Sequence, residues 1–199
     1  MGATYHVICR GNNRAAVFHA PEDYAAYLDI VHACQIEIPF AIHHYCLLTN
    51  HVHLCIQPDD DMQLPGIMQR INQRYSLYHK ERYGFVGHLW QCRYRRFLAA
   101  DDAYLLTCGI YIELNPVRAG IVEDPTAYRW SSARYYLAGE YDRLITPSPA
   151  FLALGNSAEE RIIAYRALTD MWIRRPVDKK AAKKFFKNGA PGHHPLLAA

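Results

Sequence analysis

The chain has 199 residues, 51% of them apolar, and a formal net charge of +3. That length and composition suit one domain with an ample core, and the charge is too mild to announce a nucleic-acid protein by itself. No run approaches the roughly 18 uninterrupted apolar residues of a membrane span and no basic-then-apolar leader opens the chain, so a cytoplasmic protein is expected.

Residues 4–10 read as a strand and Gly11-Asn12-Asn13-Arg14 as a loop. Pro21-Glu22-Asp23 places a proline and two acids where a helix start favours them, and Tyr24, Tyr27, Leu28, Val31, Cys34 and Ile38 follow at helical spacing. Residues 40–48 and 50–57 form two apolar strands, closed by Pro58-Asp59-Asp60-Asp61. Leu64, Ile67, Met68, Ile71, Tyr75 and Tyr78 mark a second amphipathic helix, whose outer face carries Gln69, Arg70, Asn72, Gln73 and Arg74. Residues 93–99 alternate as a further strand despite their arginines. The order is therefore β-α-β-β-α-β. It predicts an α+β, ferredoxin-like (RRM-like) core, an antiparallel sheet with helices on one face and the other face open to a ligand.

A third helix is expected from about Asp101 to Asn115, where Pro116 ends it. A fourth is expected from Tyr128 to Ala138, ahead of Gly139. A fifth opens on the capping box Ser157-Ala158-Glu159-Glu160 and runs to about Ile173. The expected division is a domain over residues 1–155 and a C-terminal helical extension with a basic tail over 156–199, mobile beyond Pro176. Six cysteines fall inside apparent strands and helices and read as reduced, mostly buried hydrophobes.

Within the third strand, His51 and His53 flank Val52, which places both imidazoles on one face about 7 Å apart, close enough to share a metal ion. On the third helix Tyr111 and Asn115 are one turn apart and share a face. A His-x-His pair by itself is more often two hydrogen-bonded strand histidines, and a lone tyrosine more often a core ring. Together, two imidazoles and an amide oxygen could hold a divalent ion with coordination positions left open, beside a phenol able to act as nucleophile. A free phenol is only about 0.1% ionised at neutral pH, so its proton needs an acceptor, and the sequence names none. Glu113 reads as an exposed helix glutamate, and His43 and His44 as strand residues pointing to opposite faces.

Three stretches carry a resemblance: Cys46-Leu47-Leu48-Thr49-Asn50-His51-Val52-His53-Leu54, Leu89-Trp90-Gln91-Cys92-Arg93-Tyr94, and Tyr111-Ile112-Glu113-Leu114-Asn115-Pro116-Val117-Arg118-Ala119-Gly120. In that order they resemble the REP-associated tyrosine transposases, a branch of the single-tyrosine HUH (IS200-like) transposases. Tyr5-His6-Val7, Arg10-Gly11-Asn12-Asn13-Arg14 and Tyr128-Arg129-Trp130-Ser131-Ser132 extend it over about residues 4–155.

The resemblance implies metal-dependent, tyrosine-mediated cleavage and joining of single-stranded DNA at repeated palindromic hairpins. Tyr111 would be the nucleophile of a 5′-phosphotyrosine intermediate, His51, His53 and Asn115 would hold Mg²⁺ or Mn²⁺, and the protein would act as a monomer or homodimer. Arg14, Arg70, Arg74, Arg93 and Arg95, interleaved with aromatic or amide residues, are the candidate DNA contacts. Two other classes stay open: a non-catalytic single-stranded nucleic-acid binding module, and a metal-dependent phosphodiester hydrolase that uses water.

Overall fold

The computed structural model describes residues 2–99 and 101–174. The basic tail beyond Arg174, with His193 and His194, lies outside them.

Strands β1 (Tyr5–Arg10), β2 (Phe40–Leu48), β3 (His51–Pro58) and β4 (Arg95–Leu98) form one antiparallel sheet in the order β2-β3-β1-β4. Helices α1 (Pro21–Glu37) and α2 (Leu64–Tyr83) interrupt them, which is the expected β-α-β-β-α-β order. Both helices lie on one face. Tyr27, Val31, Ile67, Ile71 and Tyr75 bury there against Val7, Val52, Leu54 and Ile56, the alternate residues of the two central strands. Asp23 joins the two helices. Its carboxylate accepts backbone bonds from His19 and Ala20 at the start of α1 and hydroxyl bonds from Tyr78 and Tyr83 of α2. The six cysteines are free, and all but Cys92 are buried.

The opposite face was expected to be bare and is only partly so. Helix α3 (Asp102–Glu113) crosses it, burying Leu105, Cys108 and Ile112 on Cys46, Leu48 and Cys55 of β2 and β3. The reason is compositional: Cys46, Leu48 and Cys55 on this side of β2 and β3 form an apolar patch that must be covered, while His51 and His53 share the face beside it. Toward β1, α3 brings the Tyr111 ring to 6.3 Å from that of His6, and β4 is largely exposed.

Glu113, expected on the surface, is fully buried. Its carboxylate lies 2.9 Å from His44 Nδ1 and accepts hydrogen bonds from the Ser132 hydroxyl (2.7 Å) and the Tyr165 hydroxyl (3.0 Å). His43 and His44 do not alternate either. An extra residue in β2 between Ile42 and His44 breaks the pairing with β3, so His43 meets Gln57 Oε1 at 3.1 Å while His44 faces α3. Gly109 is required beneath it, because a Cβ there would collide with the His44 ring.

The short helix α4 (Asn115–Arg118) follows α3 directly. The helix expected over 128–138 is shorter, α5 (Ala133–Ala138). Residues 130–132 instead run along the free edge of β2, with Leu47 N donating to Trp130 O and Ser132 N to Tyr45 O. Covering an unpaired edge satisfies backbone groups that a helix would have left orphaned. A short helix α6 (Pro149–Leu152) was not anticipated, whereas α7 (Ala158–Ile173) begins as its capping box requires, with Ser157 Oγ accepting from Glu160 N. Tyr165 and Trp172 of α7 bury with Tyr136, Phe151, Ile110 and Leu114 in a second small core. The expected boundary after residue 155 falls within that cluster. No described helix is long and apolar enough to cross a membrane.

Replacing Glu113 with alanine strips three buried donors of their common acceptor. It is expected to lower unfolding free energy by about 3–5 kcal/mol, read as a reduced urea midpoint at unchanged m value.

Candidate active site

The part of the second sheet face formed by β1, β3 and β4 is assembled by strand register, with His6 and His53 buried in it. Cross-strand partners share a face, and the pairs His6↔Cys55, Ile8↔His53, Arg10↔His51, His6↔Phe97 and Ile8↔Arg95 put His6, Arg10, His51, His53, Arg95 and Phe97 on one side. The His51 and His53 ring centres are 5.0 Å apart. The Thr49-Asn50 turn before them is held in place by Gly11 N donating to Asn50 O and Val17 N donating to Thr49 O. Gly11 allows this loop to close, since a Cβ there would strike the Ala15 carbonyl.

Each histidine has its Nδ1 engaged. His51 Nδ1 donates to Asn50 Oδ1 at 2.7 Å, and His53 Nδ1 lies 2.9 Å from His6 Nε2. Nε2 is thereby left as the coordinating nitrogen on both rings. Burial, assisted by the Arg10 charge, holds His51 at about 4, far below an ordinary histidine. Burial also holds His53 well below its usual value, and the neighbouring His51, His6 and Arg10 add to the effect. Both rings are therefore neutral at pH 7 and carry the lone pair that a metal ion needs. Among the described residues no group of three or more His, Cys, Asp or Glu side chains gathers around a metal position. Two imidazoles fit a divalent ion that completes its shell with an amide oxygen, water and substrate.

Helix α3 delivers Tyr111 to this pair. Its ring centre is 6.2 Å from that of His53 and 6.3 Å from that of His6, in edge-on contacts. Burial pushes the phenol above its ordinary value, and the positive charges of Arg118 and Arg10 act against that shift. Asn115 sits one turn on, beyond the end of α3. Its Nδ2 donates to Tyr111 O at 2.9 Å and Ile112 O at 3.2 Å. Pro116 has no N–H to offer the Ile112 carbonyl, and the Asn115 amide takes its place. With the nitrogen so occupied, Oδ1 is the atom of Asn115 available as a ligand.

Of the candidate DNA contacts, Arg95 lies on the face that holds the histidines, exposed at the edge strand. Arg14 and Arg93 are exposed in loops. Arg14 O accepts the Asn50 amide at 2.9 Å beside the histidine turn. Arg70 and Arg74 are on α2, behind the sheet, and both pair with Glu37 of α1 at 2.6 and 2.8 Å. The structure does not bring these two to the histidine pair.

Three residues of the site were missed from sequence. His6 and Arg10 were legible in principle, because they alternate on β1 directly beside the strand carrying His51 and His53. Arg118 had only its place seven residues after Tyr111, two helical turns, to mark it.

The family model for IS200-like transposases matches residues 1–115, more than half of the 199 residues. A search of curated proteins finds no match. A solved structure described as a REP-associated tyrosine transposase bound to a REP hairpin is similar, with a TM-score of 0.60 and 19% identity. The alignment covers 74% of this chain and 87% of that one. That likeness extends the agreement in fold beyond residue 115.

His6→Leu removes the group that orients His53 and leaves both candidate ligands in place. Mn²⁺ affinity, measured by calorimetric titration, is expected to fall about 10- to 100-fold, and His51→Ala should weaken it further.

Proposed function

This chain belongs to the IS200-like transposase family, and on that premise we propose that it cleaves and rejoins single-stranded DNA through a covalent bond to Tyr111. The observation that carries the reading is the approach of Tyr111 on α3 to the neutral pair His51 and His53 on β3, two elements far apart in sequence, with the Tyr111 and His53 ring centres 6.2 Å apart. Binding alone requires no such convergence.

Tyr111 Oη attacks the phosphorus of a phosphodiester, the P–O3′ bond breaks, and the phosphoryl group remains on the phenol as a 5′-phosphotyrosine. The proton lost by the phenol is balanced by the one gained at the departing 3′ oxygen. Because the phosphoester bond is exchanged and not hydrolysed, a second 3′-hydroxyl can reverse the step without an external energy source. His51, His53 and Asn115 are the residues to hold a divalent ion, Mg²⁺ or Mn²⁺, which neutralises charge on the phosphoryl oxygens when bound. His6 and Asn50 orient the two imidazoles, and Arg10 adds positive potential at the rim.

The substrate proposed is a single strand bearing a repeated palindromic hairpin, the kind of DNA named for the similar solved structure. The half-face over β1 and β4, with Phe97 to stack on a base and Arg95 to meet a phosphate, suits an unpaired strand. Arg14 and Arg93 would extend that contact, and Arg70 and Arg74 would give a second one behind the sheet. We assign the chemistry to residues 1–155, place the protein in the cytoplasm, and expect a monomer or homodimer.

Tyr111→Phe removes one oxygen and keeps the ring, so hairpin binding should persist while cleavage and the denaturant-stable protein–DNA adduct both disappear. Cutting without any adduct in the unaltered protein would replace this reading with a water-using hydrolase. Binding with no cutting at all would leave a binding module. Arg95→Ala should weaken hairpin binding and reduce the slope of log affinity against log salt by about 0.7–0.9. In the same salt series, Arg70→Ala should have the smaller effect, because Arg70 pairs with Glu37 behind the sheet, away from the histidine face.

A further inference from the structure

Arg118 is a half-buried cation with no ion-pair partner among the described residues, set against the proposed nucleophile. It closes α4, and its guanidinium carbon stands 4.9 Å over the Tyr111 ring. Nη1 reaches the Tyr111 carbonyl at 3.4 Å, a long bond, while Nη2 is buried with no hydrogen-bond partner. No carboxylate among the described residues pairs with it, although every other arginine that forms an ion pair here does so at the surface.

A guanidinium does not shed its proton in a protein. An unmet charged donor away from water is costly. Ring stacking offsets part of this, since a cation is attracted to the face of a tyrosine ring. An anion placed against Nη2 would offset the rest, and the chemistry assigned to Tyr111 brings one. The phosphodiester must lie within bonding reach of the phenol oxygen, and the ring fixes Arg118 relative to that oxygen. The same group would then face the phosphoryl oxygens of the phosphotyrosine.

We propose that Arg118 is a catalytic residue whose Nη2 donates to a non-bridging oxygen of the phosphate that Tyr111 attacks. The inference rests on the reading of Tyr111 as nucleophile. It adds a cation fixed by the protein on the tyrosine side of the phosphate, independent of any ion at the histidines. A positively charged donor prepositioned in a water-poor site stabilises the charge that gathers on those oxygens as the bond exchanges. Arginine suits the place better than lysine, because its flat group can stack on the ring and still aim a donor sideways.

The test pairs the enzyme with two single-stranded hairpin substrates, one natural and one in which a methyl group replaces a non-bridging oxygen of the scissile phosphate. Arg118→Ala, and Arg118→Met to keep the packing over Tyr111, should each slow single-turnover cleavage of the natural strand about 100-fold or more. Hairpin affinity and Mn²⁺ affinity should stay within about threefold of the unaltered protein. On the methyl substrate whose lost oxygen is the one Arg118 meets, the unaltered protein and the variants should cut at similar rates, because the contact is already gone. Equal slowing on both substrates, or no slowing on the natural one, would overturn the role of Arg118. An unaltered protein that cuts without forming an adduct would overturn the reading of Tyr111 first.

Discussion

A buried carboxylate on α3 holds the proposed site together. Glu113 draws bonds from β2 through His44, from the edge segment through Ser132 and from α7 through Tyr165. An anion in a low-dielectric interior is tolerable only while its donors are all in place, so the parts that supply them cannot move independently. Two residues before it on the same helix, Tyr111 faces the histidines. The position of Tyr111 is thus set by a clamp on the far side of its own helix, and Gly109 lets the His44 ring close enough to form it.

On the other side of Tyr111 the chain makes an abrupt junction. Pro116 would leave the Ile112 carbonyl without a donor, and the Asn115 amide supplies one while bonding to the Tyr111 carbonyl as well. That repair lets α4 follow α3 without a loop and carries Arg118 back over the Tyr111 ring. Asn115 therefore has a conformational duty in addition to the ligand role proposed for its oxygen. The two duties use different atoms of one amide and do not compete.

The histidine pair shows a similar economy. Burial holds both rings neutral, which costs stability in acid but prepares them for a metal ion at neutral pH. His6 and Asn50 occupy the inner nitrogens, leaving the outer ones to coordinate. The positive charge of Arg10 opposes protonation of the imidazoles, and Arg10 and Arg118 together favour a polyanionic substrate.

The sequence alone determined the order of the core elements, because periodicity of two or of 3.6 is a local property and Pro21, Pro58 and the Ser157 capping box are local signals. It also singled out His51, His53, Tyr111 and Asn115 as candidates, since His51 and His53 alternate on one strand and Tyr111 and Asn115 are one helical turn apart. What it could not convey was which elements meet. Glu113 looked like any helix glutamate, because its partners lie 69, 19 and 52 residues away in sequence. His43 and His44 looked like ordinary alternating residues, because a bulge is set by pairing with β3 and not by composition. Residues 128–132 looked helical, because nothing in them reveals the open edge of β2 that they cover. His6 gained its place from the pairing of β1 with β3, and Arg118 only when α3 crossed the sheet. Distances between elements are fixed by packing and register, and those are properties of the folded chain.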